Sequence, residues 1–216
     1  MLRTTKSMKE KYEAIQKSLF DMIPEKWEEI YLYASIIDNS SDDRNGELYF
    51  YYIPKGLLKK KPINVYEVPQ KFNINEEQYL ELVDRLYSII KKLRQDFVKT
   101  GQDLWTNLSI SISGCKFRVE YGYERLSLDE YSNYKRHIIW RYKYLKLGGE
   151  IKEERKIIQE YLDKEPINRR EIYETGMYLK DVNNEVRFDK EERKFVLRDM
   201  ETVLNKKDKK SQNWKE

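Results

Sequence analysis

The chain predicts an α+β fold, an antiparallel sheet with helices packed on one face, and three observations carry that prediction. Residues 105–123 alternate with period two across two consecutive segments, the pattern of a β-hairpin with one buried and one wet face. A second pair of runs rich in β-formers, 27–37 and 47–53, flanks the polar stretch 38–46. Segments with apolar residues three and four apart bracket both hairpins, so the order reads helix, two or three strands, helix, two strands, helix.

Taken in order, Ser7 with Glu10 makes a capping-box pattern, and Met8, Tyr12, Ile15, Leu19 and Met22 form the stripe of a helix over 8–23 that Pro24 ends. In the first hairpin Ile30, Leu32, Ala34 and Ile36 share one face and Tyr31, Tyr33 and Ser35 the other, over 29–37. The return strand 47–53 sets Leu48, Phe50 and Tyr52 opposite Tyr49 and Tyr51. A short third strand fits 64–68. Asn75 with Gln78 opens a long helix over 76–99 with stripe Tyr79, Leu82, Val83, Leu86, Ile90, Leu93 and Phe97, closed by Gly101. The second hairpin, 106–113 and 116–123, buries Leu108, Ile110, Ile112, Phe117 and Val119 and turns at Gly114 and Cys115, leaving its Ser109, Ser111, Arg118 and Glu120 face open to a partner. Ser127 with Glu130 starts a third helix over 128–147, stopped by Gly148 and Gly149. Beyond it the texture becomes highly charged and helical, with further helix starts at Asn168 with Glu171 and at Asp189 with Glu192, and a frayed tail from Lys206. The division expected is a domain over 1–163 and a charged helical extension over 164–216.

Composition narrows the function classes. With 39% apolar residues and 13% aromatics in 216, the chain can bury one good core. No apolar run reaches membrane-spanning length and the start has no signal-peptide core, so no membrane role is expected and a cytoplasmic setting fits. One cysteine and one histidine leave no zinc set. The glycines form no phosphate loop, and no nucleophile elbow occurs, so no cofactor, metal or catalytic residue is expected and the chain does not read as an enzyme. His137, inside YKRHIIWRYK, reads as a structural helix residue, and Cys115 as an incidental turn residue. The acid pairs Glu76-Glu77 and Glu191-Glu192 suit helix starts.

Charge is distributed unevenly: 21–54 carries eight acids against two bases, although the whole chain is +4. The 18 tyrosines invite an alternative reading as a nucleic-acid-binding module that stacks bases on a tyrosine-rich sheet beside basic loops. The acid block around Tyr31, Tyr33, Tyr49 and Tyr51 opposes it, because a polyanion would be repelled there. Asp38, Asp42, Asp43 and Glu47 instead cluster at one loop with Arg44 as the nearby base, and with Tyr49 and Tyr51 they form the expected protein-binding surface.

The segments MIPEKWEEIYLYASIID, ELYFYYI, VPQKFNINEEQYLELVDRLYSIIKKL, LWTNLSISISGCKFRVEYGY and HIIWRYKYLKL resemble the YezG/EsaG antitoxin family over roughly 1–162. Its most specific parts are Ile23, Pro24 and Trp27, then Trp105 and Thr106, then the helix at 138–145; none is a catalytic motif. The resemblance implies a cytoplasmic immunity protein that binds and neutralises a secreted nuclease toxin of the type VII (LXG/EsaD-like) kind, a protein partner rather than a nucleic acid. The extension from Lys164 exceeds the family's usual length.

Overall fold

The computed structural model describes residues 3–37, 46–56, 61–124, 126, 132–164, 170–176, 187–189 and 194–196. Helix α1 (Lys6–Met22) leads into β1 (Trp27–Ser35) and β2 (Leu48–Pro54). A two-residue β3 (Ile63–Asn64), a 3-10 turn (Val65–Glu67) and the short α2 (Val68–Phe72) precede the long α3 (Glu76–Lys99). Strands β4 (Asn107–Ser113) and β5 (Lys116–Gly122) form the second hairpin, followed by α4 (Asn133–Trp140), a π-helical turn (Arg141–Leu145) and α5 (Lys152–Lys164). Strand β6 (Arg170–Gly176) returns to the sheet, and β7 (Arg187–Asp189) pairs with β8 (Lys194–Val196) as a separate small ribbon.

The main sheet is antiparallel in the order β3-β2-β1-β4-β5-β6. Register explains its two faces. Ile30, Leu32 and Ala34 on β1 align with Tyr52, Phe50 and Leu48 on β2 and with Ile112, Ile110 and Leu108 on β4, so one face presents a continuous apolar surface. α1 and α3 cover it with Met8, Tyr12, Ile15 and Leu19 and with Leu86, Ile90, Leu93 and Phe97, all fully buried. Leu108, Ile110, Ile112, Phe117 and Val119 are fully buried there, as their alternation requires.

Local chemistry sets the helix ends. α3 starts where expected, the Asn75 side chain accepting from the Gln78 amide at 2.9 Å. α1 starts earlier: Thr5, not Ser7, is the cap, accepting from the Met8 amide, while the Ser7 hydroxyl donates to buried Asp96 on α3 at 2.7 Å. Residues 127–131, where the third helix was expected to open, lie outside the described residues, and the observed cap is Ser132. The expected strand at 64–68 is only two residues long, because the Asn64 side chain accepts from the Tyr66 amide and closes a turn.

Two placements differ from the sequence reading. The third helix packs on the opposite face from α1 and α3, so both faces of the sheet carry helices. Of the two helix starts expected further on, Asn168 and Glu192 lie outside the described residues, while Glu171 falls in 170–176, a strand paired along its whole length with β5, and Asp189 ends β7. A capping pattern marks where a helix can begin, but a seven-residue ladder supplied by β5 outweighs it.

Candidate functional site

The face opposite the apolar core is built from tyrosines. Register sets Tyr31 beside Tyr51 and Tyr33 beside Tyr49, with Ser111 and Ser109 of β4 as the neighbours on the other side. Tyr33 and Tyr49 stack with ring centroids 5.0 Å apart at 17°. Trp140 of α4 closes over them: its ring meets Tyr49 edge-on at 5.2 Å and Tyr33 at 6.2 Å, and its Nε1 donates to Ser109 Oγ at 3.0 Å. Leu145 completes the cover, leaving Tyr33, Tyr49 and Tyr51 only 5–6% exposed.

His137 sits at the centre of this cover. Its ring lies 4.1 Å from that of Tyr49, and its Nε2 is 2.9 Å from the Tyr51 hydroxyl. Asn64 donates to that same hydroxyl at 3.1 Å, and a neutral imidazole with Nε2 unprotonated can take the tyrosine proton. Burial, reinforced by the Arg141 charge, lowers the His137 pKa to about 4. Burial likewise raises Tyr33, Tyr49 and Tyr51, so none of them ionises near neutrality.

The base of the acidic hairpin adjoins the tyrosine face. Burial pushes the Glu47 carboxyl up, opposed by the charge of Arg136 on α4. The Glu47 amide donates to Ser35 Oγ at 3.1 Å, and the Tyr87 hydroxyl donates to the Ser35 carbonyl at 2.8 Å. Gly46 runs through this junction so closely that a Cβ would collide with the Tyr87 hydroxyl and the Ser35 carbonyl. Glycine is required there by space. The hairpin's exit is thereby clamped to α3.

Of the residues the sequence selected, Asp38, Asp42 and Asp43 lie outside the described residues, Glu47 is half-buried beside α4, and Tyr49 and Tyr51 are buried beneath it. The open sheet face that the nucleic-acid alternative needed is covered by Trp140 and Leu145, so its tyrosines present no stacking platform. The Ser109 and Glu120 face is engaged too, Glu120 pairing with Lys143 at 3.2 Å. Sequence reasoning missed Trp140, Arg136 and Arg141 as partners of this face, although YKRHIIWRYK places all three on the helix that covers it. Among the described residues no group of His, Cys, Asp and Glu could hold a metal, and no helix is long and apolar enough to cross a membrane.

A family model described as "Immunity protein YezG-like" matches residues 8–159, from the first turn of α1 into α5. The chain belongs to the YezG-like immunity protein family. It is 32% identical over 159 residues to an "Immunity protein YezG" of Bacillus spizizenii, covering 73% of this chain and 94% of that one. A Bacillus subtilis "Immunity protein YezG" is 29% identical over 72% of this chain and 99% of its own. The "Type VII secretion system protein EsaG" of Staphylococcus aureus is 28% identical over 63% of this chain and 79% of its own. The YezG-like region thus includes β1–β5, α1, α3 and the α4 cover, and its matched end falls before β6.

Proposed function

We propose that this chain is a cytoplasmic, non-enzymatic immunity protein that binds and neutralises a nuclease toxin delivered by type VII secretion. The observation that carries this reading is the family match across 8–159, which takes in the core and the aromatic cover together. The similarity to the type VII secretion system protein EsaG supports the secretion route. The acidic 21–54 block supports a nuclease target, because an enzyme that grips nucleic acid presents a cationic cleft and carboxylates meeting it raise association rate and discrimination. Residues 1–163 form the toxin-binding domain in this reading, and 164–216 an extension of which 170–176 join the sheet.

Asp38, Asp42 and Asp43 carry the first encounter, with Glu47 at the root of their loop. Tyr49 and Tyr51 support the surface from beneath α4 and reach a partner only if that helix lifts. Co-expression with a candidate nuclease toxin, sought among the genes that neighbour this one, tests the proposal: survival of the cells and a stable purified complex are expected, and unprotected death overturns it. Reversing Asp38, Asp42 and Asp43 to Lys together should lower the association rate about ten-fold or more at low salt, with thermal stability unchanged. Glu47 is left in place because Arg136 faces it. An unaltered rate places the contact surface elsewhere.

A further inference from the structure

The two hairpins of the main sheet close in different ways. β4 turns into β5 at Gly114 and Cys115, two exposed residues directly beyond the pair Ser113 and Lys116, with Gly114 at φ 57°. The β1–β2 hairpin ends instead on a rung that is only half made. In an antiparallel ladder the two residues of a hydrogen-bonded pair exchange both amide–carbonyl bonds. Next beyond the pair Ala34 and Leu48 stand Ser35 and Glu47, and the Ser35 amide donates to the Glu47 carbonyl at 2.9 Å. The return bond is diverted: the Glu47 amide donates to Ser35 Oγ at 3.1 Å, and the Ser35 carbonyl accepts from the Tyr87 hydroxyl at 2.8 Å.

Tyr87 thus takes the place of a ladder amide. It belongs to α3, and Ser35 is fully buried, so the hydroxyl satisfies a carbonyl that water does not reach. Gly46 passes against both the hydroxyl and the carbonyl, with no room for a Cβ. The Tyr87 ring has a contact of its own, Lys91 Nζ standing 5.3 Å from its centroid. β1 is already paired with β2 on one side and β4 on the other, so the sheet closes without this tie. What the tie holds is the root of the acidic hairpin, at Ser35 on the way out and at Gly46 and Glu47 on the way back. Burial pushes the Tyr87 hydroxyl up to about 12, so at neutral pH it acts through position and not through charge.

We infer that Tyr87 is a positioning residue for toxin binding, its hydroxyl fixing the root of the acidic hairpin so that Glu47 and the chain leaving at Ser35 meet the toxin from a preset base. This rests on the proposed toxin-binding function. A segment already held in place loses less freedom when it docks, which is worth about two-fold to ten-fold in affinity for each side chain kept ordered.

The test uses the full chain with Tyr87→Phe, which keeps the ring and removes the tie. Tyr79→Phe is the matched control: Tyr79 also lies on α3 and donates its hydroxyl to a backbone carbonyl, that of Met22 at the end of α1, at 2.9 Å. In the free chains, amide exchange at 46–48 should quicken about ten-fold in Tyr87→Phe and stay as it is in Tyr79→Phe. Unchanged exchange in Tyr87→Phe overturns the inference. The binding probe is the isolated nuclease domain of a toxin that the wild-type chain neutralises. Tyr87→Phe should bind it about two-fold to ten-fold more weakly, with the slope of affinity against salt unaltered because no charge is removed. Tyr79→Phe should bind as the wild type does, although both variants unfold at lower denaturant. Wild-type affinity in Tyr87→Phe, or equal weakening by the two variants, overturns the positioning role and leaves the immunity function standing as long as the wild-type chain protects cells. Loss of that protection would instead overturn the function itself.

Discussion

The two faces of one sheet are held by different physics. The face toward α1 and α3 is aliphatic and aromatic carbon at near-zero exposure, where burial of apolar area does the stabilising. The face toward α4 is tyrosine, histidine and tryptophan, where ring geometry, hydrogen bonds and a few charges add direction to the burial. The first arrangement tolerates no hole, and the second carries a histidine whose protonation burial and the Arg141 charge oppose. That contrast makes the first face the foundation and the second the adjustable one.

The largest expected effect is on the apolar face. Ile110, central on β4 and fully buried, should lose about 4 kcal/mol on replacement by Ala, measured by denaturant unfolding, with the whole domain melting earlier. A loss below about 0.5 kcal/mol, the scale of a surface change, would erase the distinction between the faces. Trp140→Ala should cost about 3 kcal/mol, and hydrogen exchange should show the loss as opening of α4 and the π-helical turn while β1 and β4 stay protected. Uniform deprotection would mean that the two faces unfold as one.

The pH dependence sharpens the comparison. His137 has its pKa lowered from 6.5 to about 4, so the unfolded chain binds the extra proton first. Its contribution is complete above pH 6.5 and is lost as the pH falls toward 4. Allowing for partial solvent access, stability should drop by about 2 kcal/mol across that window. His137→Gln should flatten the slope while retaining an acceptor for Tyr51; an unchanged slope would assign it to groups other than His137, and the raised acids Asp21 and Glu47 are not among them, because their linkage has the opposite sign. The smallest effect returns to the apolar side. Gln16 on α1 is fully buried with both amide atoms unpaired, so Gln16→Met should raise stability by about 1 kcal/mol in the same melts.

Much of the first face was legible because alternation and helical spacing are local signals. Ile110 and Phe117 on their strands, and Leu86 and Ile90 on α3, announce a buried side without reference to anything distant. The candidate surface was less legible. Tyr49 and Tyr51 fit a wet interface as well as a covered face, and their own strand says nothing about Trp140, some ninety residues later. The stripe on the third helix showed that it covers something; it did not show which side of the sheet.

By itself the amino-acid order determined the types of α1, β1, β2, α3 and the central hairpin, the buried set on β4 and β5, and the family to which the chain belongs. Only the tertiary structure decided the side of the sheet on which α4 lies, the neutral state of His137, and the strand at 170–176. Each of those depends on a partner distant in sequence. Tyr51 and Arg141 surround the imidazole, the exposed half of the β1–β2 pair receives the tryptophan, and the unpaired ladder of β5 turns a charged, weakly patterned segment into the sixth strand.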